Sequence, residues 1–221
     1  MTFSFTLKFI FVAGCLVVAL ASYTFCNSKR DWAFLVGGLA FTVGADYFLV
    51  LRDWHLPGVA VFCFAHVCYI LRALNSCEGV NENGNGNALL RERVNIKGLI
   101  VLFIAFMLIA VFLRSVIMLA VLYASLFIAN IIINFIVFRM ENHKTRLPKV
   151  NRCLVLAGLV LFALCDINVL LFNLPRYFNA PYGLRMVFPL IWVFYLPAQV
   201  LLAVSGFRYR FTSTASPLAK E

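Results

Sequence analysis

Long apolar runs separated by short polar stretches repeat along the whole chain, and they do not alternate with the period of two that barrel strands need. A helix needs roughly 20 apolar residues to cross a hydrocarbon core about 30 Å thick. Inside lipid, each backbone amide must find its partner within its own helix or within a closed barrel. The pattern therefore predicts an all-α polytopic transmembrane bundle of about seven helices, at 4–25, 33–51, 56–74, 97–113, 115–138, 153–173 and 184–206. The fourth and fifth runs part only around Arg114, where a tight hairpin is expected. The stretches VAGC, ending at Cys15, and ALAS, from Ala19 to Ser22, resemble processing signals. However, the apolar run continues past them, and only six residues separate Lys8 from Cys15, so a retained first helix is expected.

Composition supports a membrane protein. The 221 residues are 63% hydrophobic and 13% charged, far more apolar than a water-soluble fold can hide. A net charge of +10 would suggest nucleic acid in a soluble protein, but here the basic residues punctuate the apolar runs instead of forming a stripe. They act as topology signals, and no nucleic-acid partner is expected. Fourteen of the 19 Lys and Arg residues fall in the segments after helices one, three and five and in the tail. That bias predicts a cell-membrane protein with its N-terminus outside and its C-terminus cytoplasmic. Residues 1–210 form one expected transmembrane domain. Residues 77–95, rich in Asn, Gly and charge, read as a mobile cytoplasmic loop, and 211–221 as a short tail. Trp32 and Trp54 flank the second helix and read as interfacial anchors. The seven cysteines include no CxxC and mostly sit inside apolar runs, so neither a disulfide framework, a metal site nor a cofactor is expected.

An internal repeat marks the candidate chemistry. GLAFTVGADYFLVL, from Gly38 to Leu51, and GLVLFALCDINVLL, from Gly158 to Leu171, share Gly-Leu and an aspartate eight residues after the glycine. The offset is 120 residues, and the segments lie on expected helices two and six, which cross in the same direction. A parallel repeat of this kind occurs in some transporters. It would bring Asp46 and Asp166 to matching depth in the outer half of the membrane, facing one cavity. An ionisable residue at membrane depth costs at least about 2.5–3.5 kcal/mol on insertion scales, which makes both aspartates functional candidates. The alternative is that each is a structural carboxylate bonded to a helix neighbour such as Asn168, or to Lys8.

Other polar groups within spans are Lys8, His66, Tyr69, Asn130, Asn134, Tyr195 and Gln199. His66 and Tyr69 share a helix face, as do Tyr195 and Gln199. Each is read either as interhelical hydrogen-bond glue or as part of one polar core around the aspartates. Arg52, with Asp53 and His55 at the outer end of helix two, is read either as a headgroup site or as a solvated turn.

In order along the chain, GLAFTVGADYFLVL, then Gly58, Phe64, His66 and Tyr69 of LPGVAVFCFAHVCYI, then GLVLFALCDINVLLFNL and WVFYLPAQVLLAVS resemble the YhhN-like lysoplasmalogenase family from about Lys8 to Ser205. Where that family usually has Gly-Asp, this chain has Ala45-Asp46, with the glycine one place earlier at Gly44. The family commonly has eight helices. This chain's first aligns with the helix that carries Lys8, which agrees with an external N-terminus. The resemblance implies hydrolysis of the vinyl ether bond of a lysoplasmalogen, giving a fatty aldehyde and a glycerophospho-ethanolamine or -choline. It also implies a lysophospholipid substrate drawn from the membrane lipids, and no cofactor or metal. Asp46 and Asp166 would be the catalytic pair, supported by Lys8, His66, Tyr69, Asn168, Tyr195, Gln199 and Arg52. The residue types suit the reaction, which needs a proton delivered to carbon, a stabilised oxocarbenium ion and attack by water, work that paired carboxylates do in glycosidases. The rival readings are a small-solute or proton-coupled transporter and a sensory seven-helix protein. The last would need a buried Schiff-base lysine, which the final helix lacks.

Overall fold

A computed structural model describes residues 2–77, 104–105, 107–109, 112, 116–142, 145–178 and 188–209. The fourth expected span, the Arg114 hairpin, the 77–95 loop and the 211–221 tail lie wholly or mostly outside these residues. The described residues hold no strand and, besides helical residues at 104–105, 107–109 and 112, six α-helices of defined extent: α1 (Thr2–Ala21), α2 (Lys29–Asp46), α3 (His55–Ser76), α4 (Val116–Arg139), α5 (Lys149–Phe178) and α6 (Phe188–Val204). A 3-10 turn, Ser22–Phe25, follows α1, and a π-helical turn, Tyr47–Leu51, continues α2. Five of these stretches are long and apolar enough to cross a membrane, and α6 is a shorter apolar helix. The chain is a helical membrane bundle. Its outward face is correspondingly apolar, with Leu7, Val17, Leu108, Phe112, Ile117 and Leu170 all exposed.

Helices α2 and α5 begin about a turn earlier than the apolar runs suggested, at Lys29 and Lys149. The extra turns are polar: Lys29, Arg30 and Lys149 are exposed, whereas Asp31, Asn151 and Arg152 are buried because an ion pair and its neighbours give them partners. Arg72 of α3 grips Asp31 of α2 with two bonds, Nε to Oδ1 at 2.9 Å and Nη2 to Oδ2 at 3.1 Å. The same guanidinium donates from Nη1 to the Ser205 hydroxyl at 2.7 Å and from Nη2 to the Ser205 carbonyl at 2.9 Å, just past the end of α6. Asn151 of α5 donates to that carbonyl at 2.8 Å and to the carbonyl of Phe207 at 2.6 Å. One turn of α5 therefore reaches the end of α6, while Arg152 donates to the Val137 and Met140 carbonyls at 2.8 and 2.6 Å and closes the end of α4. The carbonyls at the ends of α4 and α6 would otherwise lack donors, as the last carbonyls of any helix do.

This cluster fixes direction. The starts of α2 and α5 and the ends of α3, α4 and α6 meet at one end of the bundle, so α2 and α5 run the same way. The end of α1 joins them: a Cβ on Gly206 would lie 2.6 Å from the Ser22 hydroxyl oxygen. Since α4 is 24 residues long, about 36 Å at 1.5 Å per residue, it begins at the end opposite to the one where α3 finishes.

The most extensive packing is α2 on α3 and α5 on α6. The repeated glycines lie in these two contacts. A Cβ on Gly38 would meet the Tyr69 ring at 2.5 Å, and one on Gly158 would meet Leu202 at 3.1 Å and the Ala198 carbonyl at 3.2 Å. Each glycine thus lets the following helix of its hairpin approach closely.

Replacing Arg72 by leucine strands the Asp31 carboxylate in the interior and is expected to cost about 3–5 kcal/mol of stability. The double variant Asp31→Leu/Arg72→Leu should recover part of that loss. Denaturant unfolding in micelles checks both. A wild-type-like Arg72→Leu would show that the cluster does not hold the bundle.

Candidate functional site

The two repeat aspartates stand at equivalent heights. Lys29 and Lys149, which open α2 and α5, are related by the same 120-residue offset as Asp46 and Asp166. Each carboxyl therefore lies roughly 25 Å along its helix from the end held by Arg72. Asp46 closes the regular part of α2, where the backbone widens into the π-helical turn. Such turns recur at functional positions because they re-aim the side chains around them. Leu49 of this turn fits closely over Gly58, where a Cβ would lie 2.4 Å from its Cγ. The turn ends at Leu51; two residues on, Asp53 lies in the left-handed region at φ 55, and the Trp54 amide bonds back to the Phe48 carbonyl at 2.8 Å.

Asp46 is 4% exposed, and its Oδ2 accepts a 2.6 Å hydrogen bond from the Tyr195 hydroxyl of α6. Asp166 of α5 is half-buried, and its Oδ2 accepts from the Tyr123 hydroxyl of α4, also at 2.6 Å. Each bond holds one carboxyl oxygen in place from a neighbouring helix. Phe162 connects the two halves. Its ring lies 5.5 Å from that of Tyr195, 5.8 Å from Phe62 and 5.8 Å from His66; Phe62 and His66 in turn lie 6.0 and 5.0 Å from Tyr123. The two tyrosine-capped carboxyls thus flank one aromatic core.

His66 sits inside that core with 0% exposure, stacked on Phe127 at 4.7 Å. The Asn130 amide nitrogen approaches its Nδ1 at 3.2 Å, while the Asn130 carbonyl oxygen accepts from Asn134 at 2.8 Å. That bond assigns the Asn130 amide as donor, so Nδ1 accepts and the ring proton belongs on Nε2. Nε2 is buried with no partner among the described residues. Tyr69, one turn along α3 and 2% exposed, lies over Gly38.

The remaining sequence candidates sit at varying distances from this core. The Lys8 ammonium of α1 lies 4.2 Å from the Trp192 ring centroid, and Trp192 contacts Tyr195 edge-on at 5.9 Å, so Lys8 borders the Asp46 half. Gln199 follows Tyr195 by one turn on α6 and is fully buried. Asn168 donates to the Leu164 carbonyl of its own helix at 2.7 Å. Arg52 is exposed and folds back on Tyr47, its Nε 3.0 Å from the hydroxyl, and His55 lies 3.5 Å from the Asp53 carboxylate. Trp54 is exposed, as an interfacial ring would be, whereas the Trp32 indole donates to the Ala19 carbonyl at 3.0 Å within the α1–α2 packing. Among the described residues no group of three or more His, Cys, Asp and Glu gathers as metal ligands would.

Tyr123 is the participant that sequence reasoning missed. Its signal was the face shared by Tyr123, Phe127, Asn130 and Asn134, at the spacing of one helical stripe. Two of those four residues were noted for their amides; the tyrosine, alone in an apolar run, reads as ordinary packing.

Comparison with curated proteins and with solved structures finds no match. A family model does match, over residues 6–206, which spans all six helices apart from the first residues of α1. The chain belongs to the YhhN family.

Proposed function

We propose that this protein is a membrane-embedded hydrolase that cleaves the vinyl ether bond of lysoplasmalogens, with Asp46 and Asp166 as its acid and base. The observation that carries this reading is the pair of carboxyls, each engaged at Oδ2 by a tyrosine hydroxyl, on one aromatic core. With Oδ2 occupied, Oδ1 of each carboxyl is the oxygen for proton transfer. One aspartic acid gives its proton to the alkenyl carbon distal to the ether oxygen. The C=C electrons form the new C–H bond, and the adjacent carbon becomes an oxocarbenium ion.

The other carboxylate stabilises that cation and accepts a proton from the attacking water. The hemiacetal then collapses: its hydroxyl proton is lost, the C–O bond to glycerol breaks, and the leaving oxygen is protonated. The products are a fatty aldehyde and a glycerophospho-ethanolamine or -choline. The surrounding rings, Phe62, Phe127, Phe162 and His66, suit a short-lived cation, since aromatic faces attract positive charge. They also exclude bulk water. The end of the bundle that carries Lys29, Arg30, Arg139, Arg146, Lys149 and Arg208 faces the cytoplasm of the cell membrane on this reading, because basic residues are retained on that side.

Asp46→Asn and Asp166→Asn should each lower aldehyde release from lysoplasmalogen in micelles by about 10²–10⁴-fold while the protein stays folded. Full activity in either variant would remove that residue from the mechanism. A folded wild type that releases no aldehyde from either headgroup class would sink the hydrolase, and would favour proton-coupled transport, tested by uptake into sealed vesicles.

Tyr123→Phe and Tyr195→Phe delete one hydroxyl each and keep the ring. Each is expected to reduce kcat by roughly 10- to 100-fold with little change in KM, the effect of removing one hydrogen bond to a charged group. A change confined to KM would mean that the hydroxyls bind lipid and do not orient the acids.

A further inference from the structure

Gln199 is a buried side chain that the protein itself does not satisfy. It is 0% exposed, and neither Oε1 nor Nε2 has a hydrogen-bond partner among the described residues. Other buried amides use at least one end: Asn134, Asn151 and Asn168 donate to carbonyl oxygens, though Asn151 Oδ1 is left unpartnered among the described residues, and Asn130 faces the His66 ring. Burying a primary amide with both ends open is strongly unfavourable, whereas an apolar side chain of similar shape would cost nothing there. The position of Gln199 supplies a use for it. It follows Tyr195, the donor to Asp46, by one turn on the same face of α6, with Pro197 between them. Across Phe162 from Tyr195, the His66 Nε2 is a second buried polar atom without a partner.

We infer that Gln199 is a ligand-binding residue whose amide holds a hydroxyl group beside the Asp46 half of the site. An amide offers one donor end and one acceptor end, and a hydroxyl is the small group that answers both. Two sources fit that chemistry: the water that attacks the oxocarbenium ion, and the free glycerol hydroxyl that a lysolipid carries next to its vinyl ether. The identity of the ligand rests on the hydrolase reading. The existence of the site rests on the unmet amide alone.

The test compares the wild type with Gln199→Met, which keeps length and volume and deletes both polar ends. In detergent without lipid, the variant should melt at the wild-type temperature or above it, because no described residue bonds to the amide. A clearly lower melting temperature would overturn the inference by showing a structural role. Aldehyde release should fall by roughly 10- to 100-fold. A loss in kcat at unchanged KM identifies the water. A raised KM, together with lost discrimination against a substrate lacking the glycerol hydroxyl, identifies the lipid. Undiminished turnover overturns the inference and leaves the hydrolase standing. If the wild type releases no aldehyde, the hydrolase reading fails separately, and the site is read from the melting-temperature shift produced by an uncleavable alkyl-ether lysophospholipid. A shift in the wild type that Gln199→Met abolishes sustains the site. An equal response in both proteins, including none, overturns it.

Discussion

The Arg72 guanidinium is the interaction on which the arrangement of this bundle depends. Helices in lipid have no hydrophobic force to set their register against one another, since the surrounding tails are as apolar as leucine. Register must come from close packing and from polar contacts that tolerate only one alignment. Arg72 supplies such a contact by binding a side chain from the start of α2 and both the hydroxyl and the carbonyl at the end of α6. Asn151 joins α5 to the same carbonyl. The two helices that carry the aspartates are thereby set at one level, and a roughly 25 Å rise along each delivers the two carboxyls to the same height. The clamp and the candidate site lie far apart along the bundle, yet one determines the geometry of the other.

Much of this was legible in the sequence, for physical reasons that particular residues make plain. The apolar runs gave the spans because lipid allows few alternatives to a helix of about 20 residues. The shared Gly-Leu and the aspartate eight residues on gave the same-direction pair of helices, and both glycines lie where a neighbouring helix comes close, with no room for a Cβ at Gly38 and little at Gly158. What could not be read was where charge is consumed. Arg72 and Arg152 looked like loop charges that set topology, yet both are buried, and they spend their donors on Asp31, Ser205 and the end of α4. A basic residue near the end of an apolar run looks the same in sequence whether it faces water or a partner 41 or 133 residues away. The hydroxyl partner of Asp166 escaped for the same reason: a tyrosine amid isoleucine and leucine carries no local mark of the carboxyl it will meet.

The repeat preserves packing while its chemistry diverges. In the first hairpin the space over Gly38 is taken by a tyrosine ring, and in the second the space over Gly158 is taken by Leu202 and a backbone carbonyl. Asp46 is covered almost completely and is held from α6, whereas Asp166 is half-buried and is held from α4. The π-helical turn follows Asp46 directly, while α5 continues as regular α-helix past Asp166 to Phe178. Two carboxyls at one height, each with a tyrosine donor, would be interchangeable if their surroundings were alike. Acid–base catalysis needs them to differ, since one must carry the proton that the other can accept. In the proposed reaction the unlike surroundings of the two carboxyls would divide those roles, and the equal rise along α2 and α5 would bring both to one depth.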